Sequence, residues 1–155
     1  MKGKIAAAAV GIAALTAGGA AIYKTVYIDG DGGGSVAAYV AKYDAMYARG
    51  EKIVVRGNCY SSCTMVLAYP TACLQQTAIL GFHPAYTPYL FGLFSYSLSP
   101  EATEEMRRHY PPDALAVINR HDGLKDNGGW WRPAIRLIPA SEFPARYHCK
   151  SETAT

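Results

Sequence analysis

"GNCYSSCTMVLAYPTAC" (Gly57–Cys73) sets two serines between two cysteines at the mouth of an apolar run. Immediately upstream, "EKIVVRG" supplies a short strand, Ile53–Val55, closed by Gly57. The run "SSCTMVLAY" then has helical character, and Pro70 ends it because proline lacks an N–H and its ring clashes with the preceding turn. A strand therefore passes into a helix through a cysteine-flanked serine pair. Three chemistries suit such a junction: a disulfide staple, a metal knot or a serine nucleophile.

The flanks show what kind of sheet the junction belongs to. "TVYIDGDGGG" (Thr25–Gly34) begins with the β-rich Val26–Ile28 and stops in Asp and Gly, as a strand entering a tight loop does. From Ser35 to Arg49, Val36, Tyr39, Val40, Tyr43 and Met46 recur at spacings of three and four and make one apolar helical stripe, which Gly50 ends. Downstream, "TAILGFH" (Thr77–His83) reads as a third strand. The order β-α-β-α-β with short connections is the pattern of a parallel sheet flanked by helices.

The remainder is less regular. "PAYTPYLFGLFSYSL" (residues 84–98) is aromatic and uncharged and fits neither period, so it is expected to pack in the core, line a pocket, or meet a partner or membrane. Ser99-Pro100-Glu101 opens a helix with a cap, a proline at its first position and an acid in its first turn. It ends near "HYPP", and Pro112-Asp113 opens a second helix through about His121. The tail from Gly123 is loop-rich, with a strand over Ile135–Ile138.

A chain of 155 residues has room for one domain and one active site. Its net charge of +3 contains no long basic run, and Arg107, Arg108 and His109 are balanced by Glu101, Glu104 and Glu105, so no nucleic-acid footprint is present. "MKGK" followed by the uncharged Ile5–Tyr23 is an export signature. Small residues in "TAGGAA" offer signal-peptidase cleavage after Ala20 or Ala21. The run is also close to the ~20 residues that span a bilayer, so residues 1–23 are either a signal peptide or a single transmembrane anchor. Membrane association would then run through residues 5–23. Residues 24–150 form the domain and 151–155 a tail. The even set Cys59, Cys63, Cys73 and Cys149 favours disulfides in an exported chain, with three pairings open. A zinc site built from these with His83 or His148 lacks the usual Cys-x2-Cys knuckle.

Loops at the carboxyl ends of parallel strands gather on one edge, where sites are built. Here they carry "DGDGGG", "GNCYSSC" and "FHPA": backbone N–H groups without side chains in the way, a serine at a helix start, and a histidine able to accept a hydroxyl proton.

Together "YIDGDGGGSVAAYVAKYDAM", "GNCYSSCTMVLAY" and "AILGFHPA" resemble the glycine loop and helix, nucleophile helix and histidine strand of the Clp protease proteolytic subunit and its relatives in the ClpP/crotonase fold. The cysteine-flanked serine followed by "LGFH" is similar to the exported, Clp-like bacterial proteins. Over about Val26–Ala85, the resemblance implies a ClpP/crotonase-like α/β fold and a serine hydrolase acting on peptides or proteins, without metal or cofactor. It implies Ser61 as nucleophile, His83 as general base, and the N–H groups of Gly34 and Ser62 as oxyanion hole. The family's acid would fall where Ala134, Ile135 and Arg136 stand, so Asp122 and Asp126 are the nearest substitutes for it. The family's first strand and helix are replaced by the export segment, which leaves a strand edge open to homo-oligomer formation or another partner. The domain would sit outside the cytoplasm, in the periplasm or on a single-pass anchor. The competing functions are a binding or structural protein that kept the fold without the chemistry, and acyl-thioester chemistry that does not need Ser61.

Overall fold

Strand β1 (Thr25–Asp31) lies parallel to β2 (Lys52–Tyr60), from Thr25 opposite Lys52 to Ile28 opposite Val55. The register then shifts so that Asp31 faces Cys59. On its other side β2 pairs in parallel with β3 (Ala72–Leu74) near its start and with β4 (Ile79–Phe82) near its end. A separate antiparallel hairpin is made by β5 (Tyr86–Pro88) and β6 (Tyr96–Leu98). Antiparallel β7 (Arg136–Pro139) pairs with β4 and closes that side of the main sheet, and β1 stands at the opposite edge. The result is a mixed α/β domain with a mostly parallel sheet and flanking helices. This computed structural model describes residues 24–88, 96–126, 128 and 133–150. Residues 1–23, where an export segment was expected, the tail 151–155 and residues 89–95 of the aromatic stretch lie outside the described residues.

Each helix starts and stops where its chemistry requires. Ser35 caps α1 (Val36–Ala48) by accepting from the Ala38 N–H, and Gly50 takes a left-handed φ of 68° just past its end. The expected stripe holds: Tyr43 is fully buried, and Val36, Tyr39, Val40 and Met46 pack around it. A 3₁₀ helix, Ser61–Ala68, follows β2 directly and ends before Pro70. Ser99 caps α2 (Pro100–His109), and α3 (Pro112–Arg120) follows it. The sheet contributes Ile53, Val55, Leu80 and Ile138 to the core, and the helices cover them with Tyr43, Met65, Met106 and Ile118. Burying each large side chain stabilises the fold by about 1.5–3 kcal/mol, so the β-α-β register is fixed by this one interface.

Four cysteines form two disulfides, Cys59–Cys63 and Cys73–Cys149. They fit an oxidising, exported environment. Among the described residues no helix is long and apolar enough to cross a membrane. Cys73–Cys149 ties β3 to the C-terminal segment, where the Cys149 N–H also donates to the Leu74 carbonyl at 2.9 Å. A second tie joins α3 to the same segment: Arg146 and the Tyr147 hydroxyl both donate to the Asp113 carboxylate.

These ties can be tested by two stability measurements. The cross-link closes a sequence separation of 76, so replacing both cysteines by alanine should remove about 4 kcal/mol from the urea-unfolding free energy. The Arg146 guanidinium holds the Asp113 carboxyl down at about 2, against some burial, with Tyr147 assisting. That stabilisation is complete above the ordinary carboxylate value of 3.8 and is lost as pH falls toward about 2. The urea midpoint should therefore drop across that window, and Asp113→Asn should flatten the drop.

Candidate active site

Asp31, Tyr60 and Phe82 end the three parallel strands at one edge, with Asp31 opposite Cys59 and Tyr60 opposite Gly81. Past these ends, β1 runs into the glycine loop, β2 into Ser61 and β4 into His83, the three features expected at a common edge. All three line a single cleft of about 1340 Å³, walled by α1, α2 and the start of the β5–β6 hairpin.

Ser61 sits at the joint between β2 and the 3₁₀ helix with φ of 57°, a left-handed backbone that side-chain-bearing residues rarely adopt. Such a conformation costs about 1–3 kcal/mol and persists only where its surroundings impose it. The surroundings are specific. Cys59–Cys63 closes a short loop across the joint, and both cysteines are fully buried. The Tyr43 hydroxyl donates to the Cys63 carbonyl at 2.9 Å, and Thr64 Oγ1 donates to the Ser61 carbonyl at 2.6 Å while sharing a hydrogen bond with Tyr110. Burial pushes the Tyr43 and Tyr110 phenols far up, so both remain hydroxyls at any physiological pH.

The glycine loop presses against this joint. Gly33 has φ of 79°, and a Cβ there would fall 2.6 Å from Ser61 Cβ and 2.6 Å from the Tyr60 carbonyl oxygen. Only a glycine fits. Asp31 ties the loop down by accepting from the Gly33 N–H at 2.9 Å, from the Tyr39 hydroxyl and from Lys42 Nζ at 3.2 Å. Partial burial acts to raise its carboxyl, but Tyr39, the Gly33 N–H and Lys42 together hold it below the ordinary value. Ser62, fully buried, completes the clasp: its Oγ accepts the Gly34 N–H at 2.8 Å and donates to the Gly34 carbonyl at 2.9 Å.

This arrangement differs from the expected oxyanion hole at one donor. The Gly34 N–H faces the Ser62 hydroxyl, whereas the Ser62 N–H, in the first turn of the helix, has no intrahelical carbonyl to meet. Asp122 and Asp126 depart from expectation further. Lys125 pairs with Asp122 and lowers its carboxyl, Asp126 accepts from Tyr96 and the Gly128 N–H, and neither lines the cleft. Ile135, from the stretch Ala134–Arg136 where an acid was expected and none stands, lines the cleft.

His83 is oriented by a group with no letter in the sequence. Its Nδ1 lies 2.8 Å from the Pro84 carbonyl oxygen, which only accepts, so Nδ1 carries a hydrogen. His83 is only 6% exposed and stacks obliquely on Tyr86, with ring centroids 5.4 Å apart. The loop around it is fixed to α2: the Ala85 N–H donates to Thr103 Oγ1 at 2.9 Å, and the Ser99 N–H to the Ala85 carbonyl at 2.8 Å. Sequence reasoning expected Ser61 and His83 at one edge, where both line the cleft, but did not single out Asp31 or Pro84. Asp31 carried a signal, an aspartate two residues before a turn glycine.

No family model, curated protein or solved structure matches this chain. The chemistry of the cleft therefore rests on its own geometry.

Because Gly33 is held to glycine by both its φ and its neighbours, Gly33→Ala should displace the loop or the serine joint. The expected result is a urea midpoint lowered by the equivalent of about 2 kcal/mol or more, together with loss of any Ser61 reactivity. Gly30→Ala, where a Cβ meets open space, should leave both nearly unchanged.

Proposed function

We propose that the protein is an exported serine hydrolase of the Clp protease type, acting on peptide bonds, with Ser61 as nucleophile and His83 as general base. The observation that carries this reading is the left-handed backbone at Ser61, a residue that lines the same cleft as a histidine whose Nδ1–H is already committed to a carbonyl. A serine on a strained strand-to-helix turn is how unrelated hydrolases expose a nucleophile at a sheet edge.

The proposed reaction is an acyl transfer. Ser61 Oγ attacks the scissile carbonyl carbon as His83 Nε2 takes the hydroxyl proton, and the Pro84 carbonyl keeps the resulting imidazolium aligned. The Ser62 N–H donates to the developing oxyanion. Rotation of the Ser62 hydroxyl away from Gly34 would free the Gly34 N–H as the second donor; removing one such donor typically raises the barrier by roughly 3 kcal/mol. His83 then protonates the leaving amine, and water, activated by the same Nε2, releases the acyl group. The ClpP/crotonase fold and the signal or anchor role of residues 1–23 belong to this same reading.

A second reading, a binding protein that kept the fold without the chemistry, is favoured by the engaged Gly34 N–H and by the placement of Asp122 and Asp126 away from the cleft. Labelling with a fluorophosphonate probe separates the two. We expect the folded wild type to be labelled, Ser61→Ala to lose the label, and His83→Ala to react about a hundredfold or more slowly. Folded wild type that takes no label supports the binding protein and removes the hydrolase.

A further inference from the structure

The cleft has an uneven charge for a chain of net +3. Three carboxylates, Asp44 on α1 and Glu101 and Glu105 on α2, line it, and among the described residues no lysine or arginine does. The cations on these helices are held elsewhere: Lys42 by Asp31, and Arg107 and Arg108 by Glu104. Between the carboxylates the walls are short and apolar, with Val36, Ala37, Val40 and Ala41 from α1 and Ala102 and Met106 from α2.

We propose that the groove between α1 and α2 is the substrate-binding limb of the cleft and selects peptides carrying lysine or arginine near the scissile bond. The inference rests on the hydrolase reading for the reaction, but the carboxylates and alanines define the binding preference independently of it. A lysine or arginine joins an apolar stem to a charged head, and the groove matches both parts. The alanine floor leaves room for the stem, and the rim supplies the counter-charge. Asp44 accepts from the Tyr69 hydroxyl at 2.8 Å through Oδ1, so its second oxygen is open to a cation. Glu105 lies 3.6 Å from His109 Nδ1, whose hydrogen already goes to the Glu105 backbone carbonyl. Val36 to Asp44 spans about 12 Å of helix, the length of three to four extended residues, so the charged head falls within a few residues of Ser61.

The test uses matched fluorogenic peptides that differ only in lysine, norleucine or glutamate at each of the four positions on either side of the cleaved bond. We expect kcat/KM for the best lysine peptide to exceed that of its norleucine partner by about tenfold or more, mostly through KM, and to shrink with added salt. Glu101→Gln with Glu105→Gln should erase the preference, and Glu104→Gln, on the same helix but outside the cleft, should keep it. Norleucine equal to or better than lysine overturns the proposal. A second arm does not need catalysis: fluorescence anisotropy of the same peptides with Ser61→Ala. Lysine-selective binding abolished by the double glutamine variant sustains the groove even if no peptide is cut, and unselective or absent binding overturns it.

Discussion

A left-handed backbone at Ser61 is the constraint on which the rest of the site depends. It turns the chain from β2 into the 3₁₀ helix within one residue, at the sheet edge where Ser61 lines the cleft. The conformation is unfavourable for a serine, so every neighbour is arranged to enforce it. Cys59–Cys63 spans the turn, Tyr43 and Thr64 hold the Cys63 and Ser61 carbonyls, and Gly33 gives up a side chain so that the glycine loop can lie against it. Folding energy from the core is thus invested in one strained joint. The buried Tyr43 shows the coupling, since it is both the largest fully buried side chain of the core and a donor to the joint.

The second element is a histidine aligned by a carbonyl where serine hydrolases more often use a carboxylate. A neutral acceptor fixes the tautomer and the ring plane as well as an acid does. It stabilises the imidazolium less, because hydrogen bonds to charged partners are roughly twice as strong. For the hydrolase proposed above, the expected consequence is slow rather than fast turnover.

Much of this was legible in the sequence because the signals were local. The apolar stripe of α1, the Ser35 and Ser99 caps, Gly50 and Pro70 each act within a turn of chain, and each element formed where it was expected. Ser61 and His83 were legible because they follow strands whose order alone implies a common edge. The disulfide pairing was not, since three pairings are equal until the fold brings Cys149 beside β3. Nor was the third member of the site. Asp122 and Asp126 were nearest in sequence, yet loop geometry sends them to Lys125 and to Tyr96, and the group that meets Nδ1 belongs to the backbone. The clasp of the Ser62 hydroxyl on Gly34 also depends on a contact 28 residues apart.

The most direct measurement is a crystal structure of the protein after reaction with a small phosphonate. We expect phosphorus bonded to Ser61 Oγ, its oxygen within hydrogen-bond distance of the Ser62 N–H, and His83 Nδ1 still on the Pro84 carbonyl. A folded protein recovered without an adduct, or with the adduct on a residue outside the cleft, would contradict the assignment of Ser61 as the nucleophile.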